Sequence, residues 1–247
     1  MLNNEVLAPN PDKQPVYSSA LIQERRHRIL HEVRKLIAER GIEGFSIREL
    51  CRKADVAQRT LYNAFHSKDR VIALAIREAY EDINSYIRYR TSPETLDGII
   101  DRLIAVNQRN LKARNYTRAV TSIYFAPNTS ADVGNALREM VFLNLRQWLN
   151  RVHRDGELQE WVDLDEIAET FANAEYAVIN DWARGRIADE DYVRRLITAV
   201  LLLAAGVTKG ATLERAQQML AEIARTGKVP EFAKPVLAPP QAAGDEP

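Results

Sequence analysis

The segment DVAQRTLYNAFHSKD, residues 55–69, is rich in side chains that form directional hydrogen bonds and poor in side chains that fill a core. Its apolar anchors are Val56, Leu61 and Phe65, at spacings that suit one side of a short helix. The polar side chains left facing outwards are Gln58, Arg59, Thr60, Tyr62, Asn63 and His66. Arginine pairs with guanine, glutamine and asparagine pair with adenine, and threonine contacts base edges or the thymine methyl group. The segment therefore predicts a helix that reads bases in the major groove of DNA.

Three side chains near the end of this segment suit DNA phosphates. Tyr62 can donate a hydrogen bond from its phenol, Lys68 adds a positive charge, and His66 lies between them in the sequence. Ser67 can cap a helix that begins at Lys68, and the free amides of that helix form an anion site. Phosphate contacts fix the register of a protein on DNA and make binding depend on salt. The alternative interpretation is an ordinary surface helix.

The distribution of charge supports an anionic partner for this part of the chain. The whole sequence has 34 basic and 34 acidic residues, so its net charge indicates no partner. Residues 18–68 hold eleven lysines and arginines against six acidic residues. Among them Arg25, Arg26 and Arg28 form a cluster that could contact the flanking DNA backbone or minor groove, although a solvated helix face explains the cluster equally well.

Helices must position these side chains, because apolar residues recur at intervals of three and four along the body of the chain. A first helix is predicted at about 19–40, with Ile22 among its buried residues and Gly41 as its C-terminal cap. A second is predicted at 46–54, where SIRE has the form of a capping box. The short turn DVA and a helix at 58–65 complete a helix-turn-helix. The last of these helices has the position of a DNA-recognition helix.

The rest of the chain also reads as helix, which makes the predicted fold class all-α. A long helix is expected at 67–89, followed by helices at about 93–112, 116–125, 131–154, 164–184, 189–206 and 212–225. Eight of the ten prolines lie in the first fifteen or the last eighteen residues, and proline is costly inside a helix. We therefore predict a disordered tail at 1–18, a helix-turn-helix domain at 19–66, a larger helical domain at 67–226 that begins with the linking helix 67–89, and a second disordered tail at 227–247.

Other kinds of chemistry find little support in the sequence. His27 and His31 have the spacing of a metal pair, but Arg28 stands where a metalloprotease motif has glutamate, and no third ligand is implied. We find no phosphate-binding glycine loop and no nucleophile elbow, and so we expect no enzyme activity, no cofactor and no metal. The longest apolar run, residues 196–207, is shorter than the about 20 residues of a membrane span. The lone Cys51 has the spacing of a core residue, and we expect a cytoplasmic protein without a membrane partner.

Residues 44–76, GFSIRELCRKADVAQRTLYNAFHSKDRVIALAI, resemble the N-terminal DNA-binding domain of the TetR family of bacterial transcriptional regulators. The matching features are FSIREL, the turn hydrophobe Val56, the triplet 60–62, Phe65 and the lysine that opens the next helix, while RRHRILHEVRKLIAERG resembles the first helix of that family. The resemblance implies that Arg48 faces DNA together with Gln58, Arg59, Thr60, Tyr62, Asn63, His66 and Lys68.

Three residues of this segment depart from the family pattern. Asp55 stands where glycine is usual, although aspartate tolerates a left-handed backbone better than most residues. Ala57 stands where a small hydroxyl residue usually caps the recognition helix. Arg59 occupies a position that often holds a small residue, and we expect it to influence the preference for DNA sequence.

The resemblance also implies dimerisation and ligand binding by the C-terminal helices. The helix pair in residues 163–206 resembles the four-helix dimer interface of the family, and the predicted interface residues are Ala174, Ala177, Val193, Ile197, Val200, Leu201 and Ala204. The family further implies an effector pocket, which polar and aromatic residues on otherwise apolar helix faces would line. These residues are Tyr116, Tyr124, Asn144, Trp148, Asn173, Tyr176 and Asn180.

The sequence therefore predicts a homodimeric, ligand-responsive transcriptional repressor that a small, largely apolar effector releases from a palindromic operator in double-stranded DNA. The alternative is a helical small-molecule-binding protein, or an enzyme, whose N-terminal module no longer binds DNA. Specific binding to operator DNA separates the two interpretations.

Overall fold

The computed structural model describes residues 20–85, 87–232 and 236–237. Its helices are α1 (Ala20–Arg40), α2 (Ile47–Ala54), α3 (Gln58–Phe65), α4 (Lys68–Ser85), α5 (Leu96–Asn110), α6 (Arg114–Tyr124), α7 (Ala131–Arg154), α8 (Leu164–Ala183), α9 (Asp189–Val207) and α10 (Gly210–Thr226). A turn of 3₁₀ helix, Leu111–Ala113, joins α5 to α6. Two short strands, β1 (Ile87–Arg88) and β2 (Val236–Leu237), pair in antiparallel register. The predicted all-α fold class is confirmed.

Helices α1, α2 and α3 share one apolar core. The residues that α1 buries there are Ile29, Leu30, Val33, Leu36 and Ile37. Helix α2 adds Leu50, and α3 adds Leu61 and Phe65, which have no exposed surface. Burying one such side chain stabilises the fold by about 1.5–3 kcal/mol, so these anchors fix α3 on its neighbours. The prediction that Ile22 is buried is wrong, because it lies in the first turn of α1 and is 53% exposed.

Helix α4 connects the helix-turn-helix with the rest of the fold. It contacts α1 and α3 as well as α7. Val71 and Ile72 in its first turns are fully buried, and so is Ile76 further along. One continuous helix therefore contacts both the helix-turn-helix and the C-terminal helices.

Large buried aromatic side chains join the C-terminal helices. The ring of Trp148 on α7 meets that of Phe171 on α8 edge to face, with 5.8 Å between the centroids. Trp182 on α8 stacks on Tyr192 of α9 at 4.2 Å. Helix α6 contacts α1 and α8, and α9 packs against α8, α10 and α5. These rings each bury about 150–250 Å², so they dominate the packing between α7, α8 and α9.

The structure differs from the prediction at both ends of the C-terminal region. The helix predicted at 67–89 ends at Ser85, and β1 follows it. Strand β2 lies within the segment 227–247 that the sequence predicts to be disordered. The predicted tail 1–18, and residues 233–235 and 238–247, lie outside the described part of the chain. No helix in the described part is long and apolar enough to cross a membrane.

Candidate nucleic-acid interface and ligand cavity

The turn between α2 and α3 depends on a left-handed residue. Asp55 has φ 51° and ψ 57°, and the amide of Val56 donates a hydrogen bond of 3.0 Å to the carbonyl of Cys51. Aspartate adopts this conformation at lower cost than most residues with a Cβ, so the turn forms without glycine. Ala57 is the N-cap of α3 and makes no capping hydrogen bond from its side chain.

Helix α3 has one buried side and one exposed side. Leu61 and Phe65 face the core, and Thr60 is half-buried. The exposed side chains of the predicted DNA-binding set are Arg48, Gln58, Arg59, Tyr62, Asn63 and His66. The base-reading groups therefore lie on the solvent-facing side of a helix that two core anchors hold in place.

The junction between α3 and α4 collects groups that suit a phosphate. The hydroxyl of Ser67 accepts a hydrogen bond of 3.0 Å from the amide of Arg70, so Ser67 caps α4 as predicted. The ammonium of Lys68 lies 4.7 Å from the centroid of the Phe45 ring, a cation–π contact that holds it at the start of α4. His66 has φ 65° and ψ −41°, a conformation that residues with a Cβ rarely adopt.

The three arginines of the predicted flanking cluster have different surroundings. Arg25 is exposed. The guanidinium of Arg26 lies 5.1 Å from the centroid of Phe65, and burial together with nearby positive charges lowers its pKa. The Nε of Arg28 donates 3.1 Å to the carbonyl of Ala54, the last residue of α2. Arg26 and Arg28 therefore contact the helix-turn-helix itself, and of the three only Arg26 is half-buried.

The start of α2 shows half of the predicted capping box. The hydroxyl of Ser46 accepts a hydrogen bond of 3.2 Å from the amide of Glu49. The carboxylate of Glu49 pairs with Arg40 of α1 at 2.9 Å, where the prediction had it return to Ser46. This ion pair ties α1 to α2, next to the exposed Arg48.

A cavity of about 90 Å³ lies among α4, α5, α6, α7 and α8. Most of its wall is apolar, and the polar groups include Asn107, Asn110 and the threonines of α6. Helix α4 contributes Ile76, Ala79 and Tyr80. The helix that supports the recognition helix is therefore also part of the cavity wall.

The structure brings together three of the predicted ligand-binding residues at this cavity, namely Tyr116, Asn144 and Tyr176. The other four lie outside its wall, so the structure does not bring the predicted set together at this cavity. Trp148 is fully buried in the core. The hydroxyl of Tyr124 donates 2.6 Å to Asn173, which is exposed, and Asn180 accepts a hydrogen bond from Arg184. Spacing on α6 and α8 identified polar interruptions but not which of them turn towards the cavity.

Glu175 lines the cavity, and no prediction from the sequence named it. The residue is 4% exposed, and its Oε1 has no hydrogen-bond partner among the described residues. Burial raises the pKa of its carboxyl to about 8, so the group is mostly protonated at neutral pH. A signal was present in the sequence, because Glu175 interrupts the buried stripe of Ala172, Tyr176 and Ile179 on α8.

Helices α8 and α9, residues 164–207, form the α8–α9 hairpin. Buried polar contacts connect the cavity wall to this hairpin. The Asn107 side-chain oxygen accepts hydrogen bonds from Asn110 at 2.9 Å and from the hydroxyl of Tyr192. Tyr192 stacks on Trp182, whose indole N–H donates 2.8 Å to Asp189 at the start of α9. The α5 side of the cavity is therefore fixed to both helices of the hairpin.

The residues predicted for a dimer interface divide between surface and core. Ala177 is exposed, and Ala174 and Val193 are half-buried. The other four, which are buried within the chain, are Ile197, Val200, Leu201 and Ala204. The prediction is wrong for these four, because a side chain covered by its own chain offers no surface to a partner. The exposed apolar residue of α9 is Leu202, at 59%.

The described residues include no group of three or more histidine, cysteine, aspartate or glutamate side chains placed to hold a metal ion. His27 lies 3.3 Å from the carboxylate of Glu78 on α4. Cys51 is buried in the core, as its spacing predicted.

Known proteins resemble this chain in sequence. Residues 29–75 match the family model of bacterial regulatory proteins, tetR family. The chain is 28% identical over 187 residues to the HTH-type transcriptional repressor KstR of Mycolicibacterium smegmatis, across 73% of this chain and 87% of that protein. It is 22% identical over 185 residues to the HTH-type transcriptional regulator PksA of Bacillus subtilis, across 71% of this chain and 87% of that protein.

Solved structures share the fold. Full-length native TylP, a TetR regulator from Streptomyces fradiae, has a TM-score of 0.58 and 21% identity, across 88% of this chain and 97% of that chain. Thermus thermophilus FadR, a TetR-family transcriptional repressor solved in complex with lauroyl-CoA, has a TM-score of 0.53 and 17% identity, across 73% of this chain and 94% of that chain. At these identities the likenesses show the shared fold, and the match over residues 29–75 shows that the chain contains a domain of the tetR family of bacterial regulatory proteins.

Proposed function

We propose that this protein is a homodimeric transcriptional repressor that binds a palindromic operator and leaves it when a small, largely apolar effector enters the cavity. The observation that carries the proposal is the double role of α4. Its first residue, Lys68, lies beside the recognition helix, and its residues Ile76, Ala79 and Tyr80 line the cavity. A ligand in the cavity would therefore act on the helix that supports α3.

The exposed side of α3 supports the DNA-binding part of the proposal. Arg59 can pair with guanine, and Gln58 and Asn63 can pair with adenine, each good bidentate contact contributing about 1–3 kcal/mol of discrimination. Tyr62 and Lys68 would contact phosphates of the DNA backbone. The buried Leu61 and Phe65 keep the helix in one orientation while it does so.

The small cavity supports effector control by a shift of α4. Ligand pockets commonly measure about 300–1,000 Å³, and a cavity of about 90 Å³ must enlarge to hold most effectors. Close-packed interiors do not stretch evenly, so the wall helices would move as units. Arg34 of α1 pairs with Asp82 at 3.0 Å and Glu78 at 3.5 Å on α4, so α1 would follow α4. A coupling of about 1–3 kcal/mol would change DNA affinity about 5- to 150-fold.

Exposed residues of the α8–α9 hairpin support the dimer part of the proposal. Ala177 on α8 and Leu202 on α9 are exposed, and Ala199 and Ala205 of α9 are half-buried. Small side chains let two helices approach closely, and an exposed leucine favours burial against a partner. In a symmetric dimer, the two recognition helices would enter successive major grooves about 34 Å apart, which calls for a palindromic operator.

The relatives support the same assignment. KstR is named as a transcriptional repressor, and the FadR structure contains lauroyl-CoA, a small molecule with an apolar chain. A protein with this role works in the cytoplasm, where a bacterial chromosome lies, and needs no catalytic residues.

Fluorescence anisotropy with labelled DNA from the protein's own promoter region tests the proposal. We expect binding that unlabelled specific DNA competes away and unrelated DNA does not, with an affinity that falls steeply as salt rises. A double variant, Arg59→Ala with Asn63→Ala, should lose the specific binding. The control Arg225→Ala, at an exposed position on α10, should bind as the wild type does.

The contrary outcome is an intact dimer that binds no fragment specifically at any salt concentration. That result would replace the proposal with the alternative of a helical small-molecule-binding protein, or an enzyme, whose N-terminal module no longer binds DNA.

A further inference from the structure

We propose that the effector carries a protonated amine on an apolar body, and that Glu175 is the residue that binds the amine. This inference rests on the proposed function, because it names the ligand class of the same cavity. Three features of the wall carry it: a buried carboxyl oxygen without a partner, a lack of basic side chains, and a set of tyrosine rings.

Glu175 is a buried acceptor at the cavity. The residue is 4% exposed and lines the wall, and its Oε1 accepts no hydrogen bond from the described residues. Buried polar atoms are nearly always hydrogen-bonded in folded proteins, so an unpaired one beside an empty volume indicates a missing donor. An ammonium group supplies three donors and a positive charge, which suits a carboxyl better than a single hydroxyl does.

The remaining wall offers nothing to a negative charge. Among the described residues that line the cavity there is no lysine, arginine or histidine. A carboxylate or phosphate would therefore be buried without a counter-charge and beside Glu175, and burying an unpaired charge is strongly unfavourable. The cavity accordingly selects against anions, and it accepts a cation when Glu175 ionises.

Tyrosine rings supply a second means of binding a cation. Tyr80, Tyr116 and Tyr176 line the same cavity from α4, α6 and α8. The face of an aromatic ring attracts a cation, and the attraction strengthens when water is excluded. The hydroxyl of Tyr116 also has no hydrogen-bond partner among the described residues, so it can accept a further N–H from the ligand.

Among the titratable groups around the cavity, Glu175 is the one whose protonation changes near neutral pH. The titratable side chains near it are Tyr80 of α4, Tyr116 of α6, Tyr176 of α8 and Tyr192 of α9. Burial raises the pKa of Tyr116, Tyr176 and Tyr192 further above the usual value. Helices α5 and α7 contribute asparagines, and Arg34 of α1, which acts on Tyr116, is paired with Asp82 and Glu78.

Binding of an amine must release a proton. Burial raises the pKa of Glu175 to about 8 in the unliganded protein, so its carboxyl is protonated at pH 7. The ammonium enters with its own proton, and Glu175 gives its proton to solvent as the ion pair forms. At pH 7 this amounts to about 0.9 protons per ligand, and the affinity should rise about tenfold per pH unit up to about pH 8.

Calorimetry with three probes of equal chain length tests the inference on the full-length protein. The probes are n-hexylamine, hexan-1-ol and hexanoate. We expect hexylamine to bind at least about tenfold more tightly than hexanoate, with a heat that changes with the ionisation enthalpy of the buffer. Between pH 6 and pH 8 the affinity for hexan-1-ol should change far less than the affinity for hexylamine, because the alcohol has no charge to pair with ionised Glu175.

Two variants on α8 separate the role of Glu175 from a general effect. Glu175→Gln should lower the affinity for hexylamine at least about tenfold and abolish proton release. The affinity for hexan-1-ol should stay within about threefold of the wild-type value. Glu169→Gln, at an exposed position on the same helix, should behave as the wild type. Hexanoate binding as tight as hexylamine, or hexylamine binding that Glu175→Gln leaves intact, would overturn the inference.

Anisotropy on the same preparations keeps the two proposals apart. Specific DNA binding without any binding of the amine overturns this inference and leaves the proposed function standing. Loss of specific DNA binding in the wild type overturns the proposed function, whatever the amine does.

Discussion

On α3, side chains that contact nothing in the core alternate with side chains that anchor the helix. Arg59 and Asn63 are exposed, whereas Leu61 and Phe65 are fully buried. We expect Arg59→Ala and Asn63→Ala to leave the melting temperature unchanged and to remove about 1–3 kcal/mol of discrimination at the base pair that each one contacts. Binding to a panel of single-base operator variants measures the change.

Lys68 should behave differently from these two residues. Its replacement by alanine removes a phosphate contact, so we expect all DNA sequences to bind more weakly by a similar factor and the salt slope to fall by about one. Because Lys68 also lies over Phe45, thermal melting must accompany the measurement. An equal loss across all sequences for the Arg59 variant would contradict its base-reading role.

Glu175 should make the free energy of unfolding depend on pH. Its pKa is about 8 when folded and near 4.5 when unfolded, so the folded state holds a proton that the unfolded state lacks between these values. The stabilisation from this proton is complete below about pH 4.5 and is lost as the pH rises towards 8, at up to about 1.4 kcal/mol per unit. In Glu175→Gln the amide does not ionise, so this pH dependence is absent.

Denaturant unfolding of wild type and variant from pH 5 to pH 8 measures this difference, since other groups cancel in the comparison. The variant should gain stability relative to the wild type as the pH rises, and Glu169→Gln, at an exposed site, should track the wild type. A difference that does not change with pH would show that Glu175 ionises normally.

Several of these residues could be read from the sequence, and others could not. Gln58, Arg59, Tyr62 and Asn63 are exposed because two anchors at a spacing of four define the buried side of α3. Glu175 escaped prediction because a single glutamate in an apolar stripe is equally consistent with a surface position. Only the packing of α8 against α6 and α7 shows that it is covered.

At the scale of the element, α3 begins without the usual cap. Ala57 has the extended backbone of an N-cap, φ −69° and ψ 144°, but no side-chain oxygen. We expect Ala57→Ser to accept a hydrogen bond from the amide of Thr60 and to raise the free energy of unfolding by about 0.5–2 kcal/mol. Chemical denaturation measures this gain.

The matched control makes the same substitution inside α3. Ala64→Ser, at an exposed interior position, should cost up to about 0.5 kcal/mol because serine is a weaker helix former than alanine. Equal effects of the two substitutions would show that position 57 does not act as a cap.

Helix positions were largely predictable because capping residues and apolar periodicity are local. The helices expected after residue 93 agree with α5 to α10 within one turn at each end. The strand pair of β1 and β2 was not predictable, since two residues on each side hold too little pattern. The apolar run on α9 indicated burial, but it did not show that the chain itself covers most of the run.

At the scale of the molecule, the exposed part of the α8–α9 hairpin should decide whether two chains associate. Leu202 is 59% exposed on α9, and burying aspartate there against a partner is unfavourable. We expect Leu202→Asp to weaken the dimer by about tenfold or more without unfolding the monomer. Sedimentation equilibrium measures the dissociation constant.

Leu143→Asp on α7 is the control, because Leu143 is 42% exposed and lies outside the hairpin. It should leave the dimer intact. A wild type that stays monomeric at high concentration, or a Leu202 variant that stays fully dimeric, would contradict a dimer interface at the α8–α9 hairpin.

Selection of binding sites from a random pool of double-stranded DNA tests the central claim most directly. The full-length protein should enrich one sequence with two inverted half-sites whose centres lie about one helical turn apart, and Arg59→Ala should change the bases within each half-site. A dimer that enriches no sequence, or one whose enriched sequence is the same with and without Arg59, would contradict recognition of DNA by α3.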